Sequence, residues 1–545
     1  MPGLSLICDR NSSLDQEKEK VDRALRAVLH DSGYKTEYYH RGPGFILAST
    51  HYQEYPVFFR EDDRYLLFLE GYIYEAFAEP ENKLGELRDI FAAGDAAPIE
   101  PLLDRWIQNQ DGDFIILILD KMENTALLLN DAQGRLPLYY YRDRERLIVS
   151  REFRFLAQMM PQRDYDRMGI AQYLLFGYPL GARTIIKNAF RALPCMLMKL
   201  NFRDGELCSL KYLRTYNFES KRYRNRGIHQ NAQELARRFE RACKVRAFPG
   251  RQSIVGLSGG LDSRSVAACL HKGYNPFKAT SRLSYFATEK KDAAVAQEIA
   301  RSLQAEWFLV KSDNPPEGRD FLQILKRKSG FNGVTMSFMV PYLEEIIKMF
   351  GRNIVYFTGD GGLHLKDIRP VKKLRNAKEL VDYTLASYQV SPLKNVTALT
   401  FVSERDIISE IERHLLEYPE TDLRQKYVHF VLSERCFKWL YEGEDRNRTY
   451  FWSTAPFHAT QLFHYALNCP DQQKNHFRLY HQFLLLLSSD ASAVRHAKWD
   501  APIGTVKAKL AVKKVIARKK YKSLAKIYRL RLKKKNKKTF IRRRL

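Results

Sequence analysis

Ile254-Val255-Gly256-Leu257-Ser258-Gly259-Gly260-Leu261-Asp262-Ser263-Arg264-Ser265 is the stretch on which the fold turns. The apolar run Gln252–Leu257 reads as a strand, a Gly-Gly turn follows, and Asp262–Lys272 carries a helical pattern. Consecutive glycines let the backbone approach a charged ligand with no Cβ in the way, and the N–H groups opening the next helix form an anion nest. Ser258 and Ser263 add hydroxyl donors for pyrophosphate oxygens. Asp262 beside phosphates demands an intervening cation, for which magnesium is the economical choice. An ordinary glycine turn with Ser and Asp capping a helix is the plainer alternative, but it does not require these six residues in this order. The chain contains neither GxxxxGK[ST] nor GxGxxG, so a Walker loop and a dinucleotide fold are unsupported.

Downstream, strands alternate with helices. Lys290–Gln304 reads as a helix with small apolar residues at Ala293, Ala296 and Ala300, and Ile354–Phe357 as a buried strand entering Thr358-Gly359-Asp360-Gly361-Gly362. That alternation predicts a parallel α/β sheet. Upstream, short apolar runs such as Tyr65–Leu69, Phe114–Leu119 and Ala126–Leu129 sit between turn residues and predict a sheet-based domain. The domains expected are 1–215, a linker at 216–228, 229–503 and a basic tail at 504–545. Residues 430–500 are helical and aromatic, with Trp439, Trp452 and Trp499 read as core packing.

Bulk composition agrees with a folded chain of two substantial domains: 545 residues, 45% hydrophobic and 28% charged. No apolar run approaches the roughly 20 residues that cross a bilayer. Asp9 and Glu17 interrupt the start where a signal peptide would stay apolar, so a cytoplasmic location is expected. The 7 cysteines are scattered with no CxxC pair, which excludes a disulfide scaffold and a zinc ribbon. A formal charge of +27 suggests a nucleic-acid binder until it is localised: 19 Lys and Arg and no acid follow Asp500, leaving +8 on everything before. The tail, with Leu510, Val515, Leu524 and Ile527 among its cations, reads as a segment for an anionic membrane surface, a nucleic acid or an acidic peptide.

Ser258–Ser263 matches SGGxDS, the signature of pyrophosphatase-loop ATP ligases, at every fixed position. Within that group the chain resembles asparagine synthetase B and the β-lactam synthetases over residues 1–505. Asn130–Tyr140 is similar to that family's RDRFGVKPLYY element, Val149–Glu152 to its FASE turn, Thr358–Gly362 to its SGEGxDE loop and Ala455-Pro456-Phe457 to its RVPFLD segment. The resemblance implies an α/β protein of two domains. The first is an Ntn-hydrolase-like α/β/β/α sandwich, and the second is a pyrophosphatase-loop parallel sheet with helices.

The activity it implies is ATP-dependent amide formation, in which a carboxylate is adenylated with release of pyrophosphate and then attacked by ammonia or a substrate amine. Asparagine formation is the generic case, and ATP and Mg2+ are the implied cofactors. By the same resemblance Leu257, Ser258, Gly259, Gly260, Asp262, Ser263, Thr358 and Gly359 contact ATP, with Asp262 holding the metal. Asp360 is the acid near the reacting groups, and Lys498 stabilises charge on the α-phosphate. Glu444, clustered with Glu442 and Asp445, is a candidate base for the attacking amine, with a solvated helix end as the alternative.

Two departures stand out. Leu363 occupies the position of the family's second metal-ligating Asp. Either Asp360 or Asp367 supplies the missing oxygen, or the ion keeps an extra water, or adenylation is impaired. Pro2 replaces the N-terminal cysteine that hydrolyses glutamine, and the family's NGEIYN element stands as Glu70-Gly71-Tyr72-Ile73-Tyr74-Glu75, so glutaminase activity is not expected. Cys8 lies in an apolar run and reads as a buried small hydrophobe. The expected partners are a small-molecule or peptide carboxylate with an amine or ammonia, an anionic membrane surface or nucleic acid at the tail, and a second copy of the chain. A non-catalytic nucleotide-binding scaffold is the competing reading.

Overall fold

A computed structural model describes residues 2–93, 98–203, 207–273, 275–284, 287–312, 318–331 and 333–505. The basic tail beyond 505, and with it the membrane or nucleic-acid reading, lies outside the described residues.

Twelve strands between Gly3 and Tyr212 form two six-stranded sheets. One runs Ala189–Arg191, Tyr139–Arg142, Arg146–Ser150, Gly3–Asp9, Phe45–Tyr52, Tyr34–Arg41; the other Cys208–Tyr212, Met196–Asn201, Thr125–Asn130, Gly112–Asp120, Tyr65–Ile73, Val57–Glu61. Side chains alternate across each strand, and both faces of both sheets are apolar. Leu4, Leu6 and Leu47 of the first sheet meet Phe68, Ile115 and Leu117 of the second in one core. Ile7, Ile46 and Ile148 face the other way, onto the helices Lys18–Arg26 and Phe153–Met159. Leu67, Phe114 and Ile116 do the same beneath Pro80–Ala92 and Glu100–Asn109. The product is the expected α/β/β/α sandwich. All seven cysteines, Cys8 among them, are buried free thiols.

The five-stranded sheet has the order Glu306–Ser312, Phe277–Ser284, Gln252–Gly256, Ile354–Phe357, Trp452–Thr454, and every pairing is parallel. Ile254, Val255, Ile354, Val355 and Phe357 are fully buried, as strands covered on both faces must be. No helix among the described residues is long and apolar enough to cross a membrane.

The residues expected as a linker, 216–228, include some that pack against the rest of the chain. Tyr216 and Phe218 stack at 6.0 Å, and Phe218 is buried beside His429. The helix Ile228–Arg246 then carries Arg246, fully buried, to Asp111 of the sandwich at 2.7 and 2.8 Å.

Between the halves lies a lattice of buried charges. Arg151 reaches Glu70 at 2.8 Å and also Asp445, Lys328 binds Glu442 and Asp445, Arg191 binds Glu442, Arg135 binds Glu444, and Arg448 binds Asp113 at 2.7 Å. The acidic cluster is therefore not a solvated helix end, because Glu442, Glu444 and Asp445 are at most 1% exposed. Removing one partner of such a pair strands a charge in a dry interior. Arg151→Met is expected to cost about 3–5 kcal/mol in urea unfolding, with part of the loss recovered by adding Glu70→Gln. A cost below about 1 kcal/mol would mean that these charges are solvated.

Candidate functional site

In an open parallel sheet, a ligand crevice opens outside the strand C-termini where strand order reverses. Here that point lies between Gln252–Gly256 and Ile354–Phe357, the two strands from which the sheet grows outward in opposite directions. The loop Leu257–Leu261 leaves the first strand and Thr358–Gly361 the second, so the two glycine-rich segments singled out in the sequence face each other.

Their approach is close enough to require glycine. A Cβ on Gly359 would lie 2.3 Å from the Ser263 nitrogen, and one on Gly362 would lie 2.2 Å from Asp262 Oδ1. Within the first loop, Ser263 Oγ accepts from the Ser258 N–H at 3.0 Å, and the two hydroxyls are 3.0 Å apart. The helix Asp262–Lys272 begins with no side-chain cap, which leaves its first-turn N–H groups directed at the cleft. Arg264 is fully buried and donates to the carbonyls of Gly259, Ala491, Val494 and Arg495, tying the C-terminal segment to the underside of the loop.

Two cavities open here and share Gly256, Ser258, Met339 and Tyr356. One, about 390 Å³, adds Leu257, Thr280 and Asp292. The other, about 370 Å³, adds Asp262, Ser263, Thr358, Gly359 and Asp360, and is closed by Trp439, Leu440 and Arg446. The last three come from the π-helical stretch Val431–Leu440 and the helix Tyr441–Asn447 that continues it, an irregularity common at functional sites. Trp439 thus belongs to the cleft wall and not to the core.

Packing around the Asp360 carboxyl pushes its pKa up to about 7, the charge of Glu444 adds to the rise, and Arg446 and Arg135 oppose it. Burial also lowers Arg446 to about 10, with Asp360 as its main opposing charge. The cleft therefore holds a carboxyl that exchanges its proton near neutrality beside a fixed cation.

Several sequence expectations need correction. Asp262 is not poised for a metal, since Lys366 Nζ donates to both of its oxygens at 2.8 and 2.7 Å and Tyr480 donates to Oδ1 at 2.7 Å. Leu363 packs with apolar residues, and Asp367 is held by both the Nε and Nη2 of Arg369 at 2.9 and 3.0 Å, so it supplies no oxygen either. Among the described residues no three His, Cys, Asp or Glu side chains converge to hold a metal. This donor set does not fit a magnesium ion held by the protein on Asp262.

Glu444 is taken by Arg135 within the buried lattice and does not line the cleft. Lys498 is exposed; its segment packs on the Ser258 loop through Ala497, whose N–H donates to Gly259 O at 3.2 Å, but its side chain does not line either cavity. Lys366, Tyr480 and Arg446 were not anticipated. For Lys366 there was a signal: an acid lost at 363 and a base standing three residues later.

The sandwich has a second telling spot. Glu70 is fully buried against the start of the first strand, where it accepts from the Leu4 N–H at 2.8 Å, Tyr55 Oη at 2.5 Å and Arg151 Nε at 2.8 Å. A Cβ at Gly3 would lie 2.2 Å from Glu70 Oε1, so the carboxylate fills the space beside the strand's first residues.

Residues 46–213 match a glutamine amidotransferase domain. No curated protein matches the chain. Among solved structures, NMN synthetase from Francisella tularensis is 15% identical, with 39% of this chain and 94% of that one covered and a TM-score of 0.21. Glutamine phosphoribosylpyrophosphate amidotransferase from B. subtilis, complexed with ADP and GMP, is 10% identical over 58% of this chain and 69% of that one, with a TM-score of 0.24. A structure described as the allosteric regulatory enzyme of purine biosynthesis is 12% identical over 58% and 81%, also at 0.24.

The raised pKa of Asp360 has a definite consequence for stability. A carboxyl that holds its proton more tightly folded than unfolded costs nothing below its ordinary value of 3.8, and the penalty grows until the pH passes about 7. Asp360→Asn is expected to match the parent in urea unfolding at pH 3.5, exceed it increasingly as pH rises, and keep a constant advantage above pH 7. A difference independent of pH would contradict the shift.

Proposed function

We propose that the chain is an ATP-dependent carbon–nitrogen ligase of the asparagine synthetase and β-lactam synthetase type, acting without glutamine hydrolysis of its own. The observation that carries this reading is the meeting of Leu257–Ser263 and Thr358–Asp360 at the point where the parallel sheet reverses its strand order. In this reading residues 1–215 are a silent glutaminase-like domain and 229–503 the synthetase domain. The amidotransferase match over 46–213 supports the first assignment.

Ser258, Ser263 and the N–H groups opening the helix hold the phosphates, while the cavity at Leu257, Thr280 and Asp292 takes the nucleoside. The carboxylate to be activated lies toward Met336, Met339 and Trp439, which keep water from an acyl-adenylate. Asp360, half in its proton-free form near neutral pH, takes a proton from the attacking ammonia or amine. Arg446 balances the charge that remains. Lys498, exposed on the segment packed against Gly259, is the cation available to the phosphate chain from outside. Glu70, bound by Leu4, Tyr55 and Arg151, stands where a glutaminase would need open space, and this supports an external source of amine.

A second reading is favoured by one specific feature. Lys366 pairs with Asp262 and Leu363 stands where a second carboxylate would be, which leaves no free acid at either position for a metal, as suits a relative that binds nucleotide without chemistry. Incubation with ATP, a panel of carboxylic acids and ammonia or an amine, followed by separation of nucleotides and pyrophosphate, distinguishes the two. The ligase reading predicts AMP and pyrophosphate in equal amounts with at least one acid, reduced at least 100-fold in Asp360→Asn. ATP binding with no AMP from any acid or amine tested favours the scaffold.

A further inference from the structure

Beyond Asp262, on the far side of Lys366, lies a cavity of about 310 Å³ walled by Lys366, Arg369, Arg424, Lys474 and His476, with Asp367 as the acid among its lining residues. The cations have too few counter-charges. Lys366 is occupied by Asp262 and Arg369 by Asp367. Lys474 is only 4% exposed, yet its nearest carboxylate oxygen, on Asp471, is 4.0 Å away. That same Asp471 already serves Arg369 at 3.2 Å and Lys221 at 3.4 Å. Arg424 spends its Nε on the Pro370 carbonyl at 3.0 Å, and no carboxylate pairs with its guanidinium among the described residues. Asp422 is close by, but it is exposed and caps the helix Leu423–Phe430 through the Arg424 N–H.

A buried ammonium without a close partner is costly, and burial lowers Lys474 to about 8. The wall that follows Lys474 in the chain is itself strained. His476 and Phe477 have consecutive left-handed backbones, φ 53° and 60°, which non-glycine residues adopt only at a cost. Such conformations cluster at ligand sites.

We propose that this cavity binds a phosphoryl dianion, with Arg424 and Lys474 as its principal ligands and Lys366 as the wall shared with the nucleotide loop. Arg424 offers the planar fork that suits a tetrahedral oxyanion, and Lys474 a point charge whose desolvation the anion would offset. The ligand is either a free inorganic anion or a phosphoryl group carried on a substrate. The site does not depend on the ligase reading, since none of these residues was assigned to it.

Calorimetric titration of the full chain with inorganic phosphate, pyrophosphate and phenyl phosphate, in chloride buffer without nucleotide, tests the proposal. In Ser258→Asp, whose loop no longer takes phosphate, one saturable site per chain is expected to remain, weakened at least 10-fold by adding Arg424→Gln. Arg424 is half-buried on the surface of its helix, and an unchanged melting temperature without anion verifies that the variant is folded. Preference for pyrophosphate identifies a free inorganic ligand, and preference for phenyl phosphate a substrate-borne group. No saturable binding, binding that survives Arg424→Gln, or binding lost in Ser258→Asp would each overturn the assignment.

Discussion

Arg151 sits fully buried between Glu70 of the antiparallel sandwich and Asp445 of the helix that closes the cleft, and the rest of the molecule is arranged around that pairing. A guanidinium in a dry interior is tolerated only where carboxylates meet it on several sides, and those carboxylates need further cations in turn. Lys328, Arg191, Arg135 and Arg448 meet that need, so the lattice spreads until both halves are locked in one register. Apolar packing would hold the halves together as well, but it would not specify their alignment so narrowly. The helix carrying Glu442, Glu444 and Asp445 on its buried side presents Gly443, Arg446 and Asn447 to the cleft. The shape of the site thus follows from where the ion pairs must be.

The same economy governs the end of the cleft at Asp262. Asp262 opens a helix beside a glycine loop, a place that favours anionic ligands and therefore tolerates a carboxylate only with a cation at hand. The chain supplies that cation itself through Lys366, held by both oxygens of Asp262 while Tyr480 fixes one of them. The replacement of an acid by Leu363 then ceases to be an isolated loss, because one carboxylate and one ammonium are already balanced. Lys366 also lines the basic cavity behind.

Local chemistry was legible in the sequence. Gln252–Gly256, the helix from Asp262 and the strand Ile354–Phe357 follow from apolar runs, glycines and helical spacing within a dozen residues, and the alternation of such runs implied the parallel sheet. What escaped was pairing over distance. Arg135, Arg151 and Arg191 look like ordinary surface residues in sequence, and only the closed sandwich shows them buried against an acidic cluster about 250 to 310 positions away. That is why Glu444 read as a free base. The segment of Lys498 does pack on the loop, since Ala497 contacts Gly259, but side-chain direction is not encoded by proximity in the chain. Trp439 read as core because aromatic content does not distinguish a core from an apolar cleft wall.

In the proposed function the loop opening at Ser258 grips the phosphates of a nucleotide. Equilibrium dialysis of ATP against the full chain tests it most directly. One saturable site per chain is expected, abolished by Ser258→Asp, which places a carboxylate among the phosphate donors. An absence of ATP binding by the parent, or equal affinity in the variant, would contradict it.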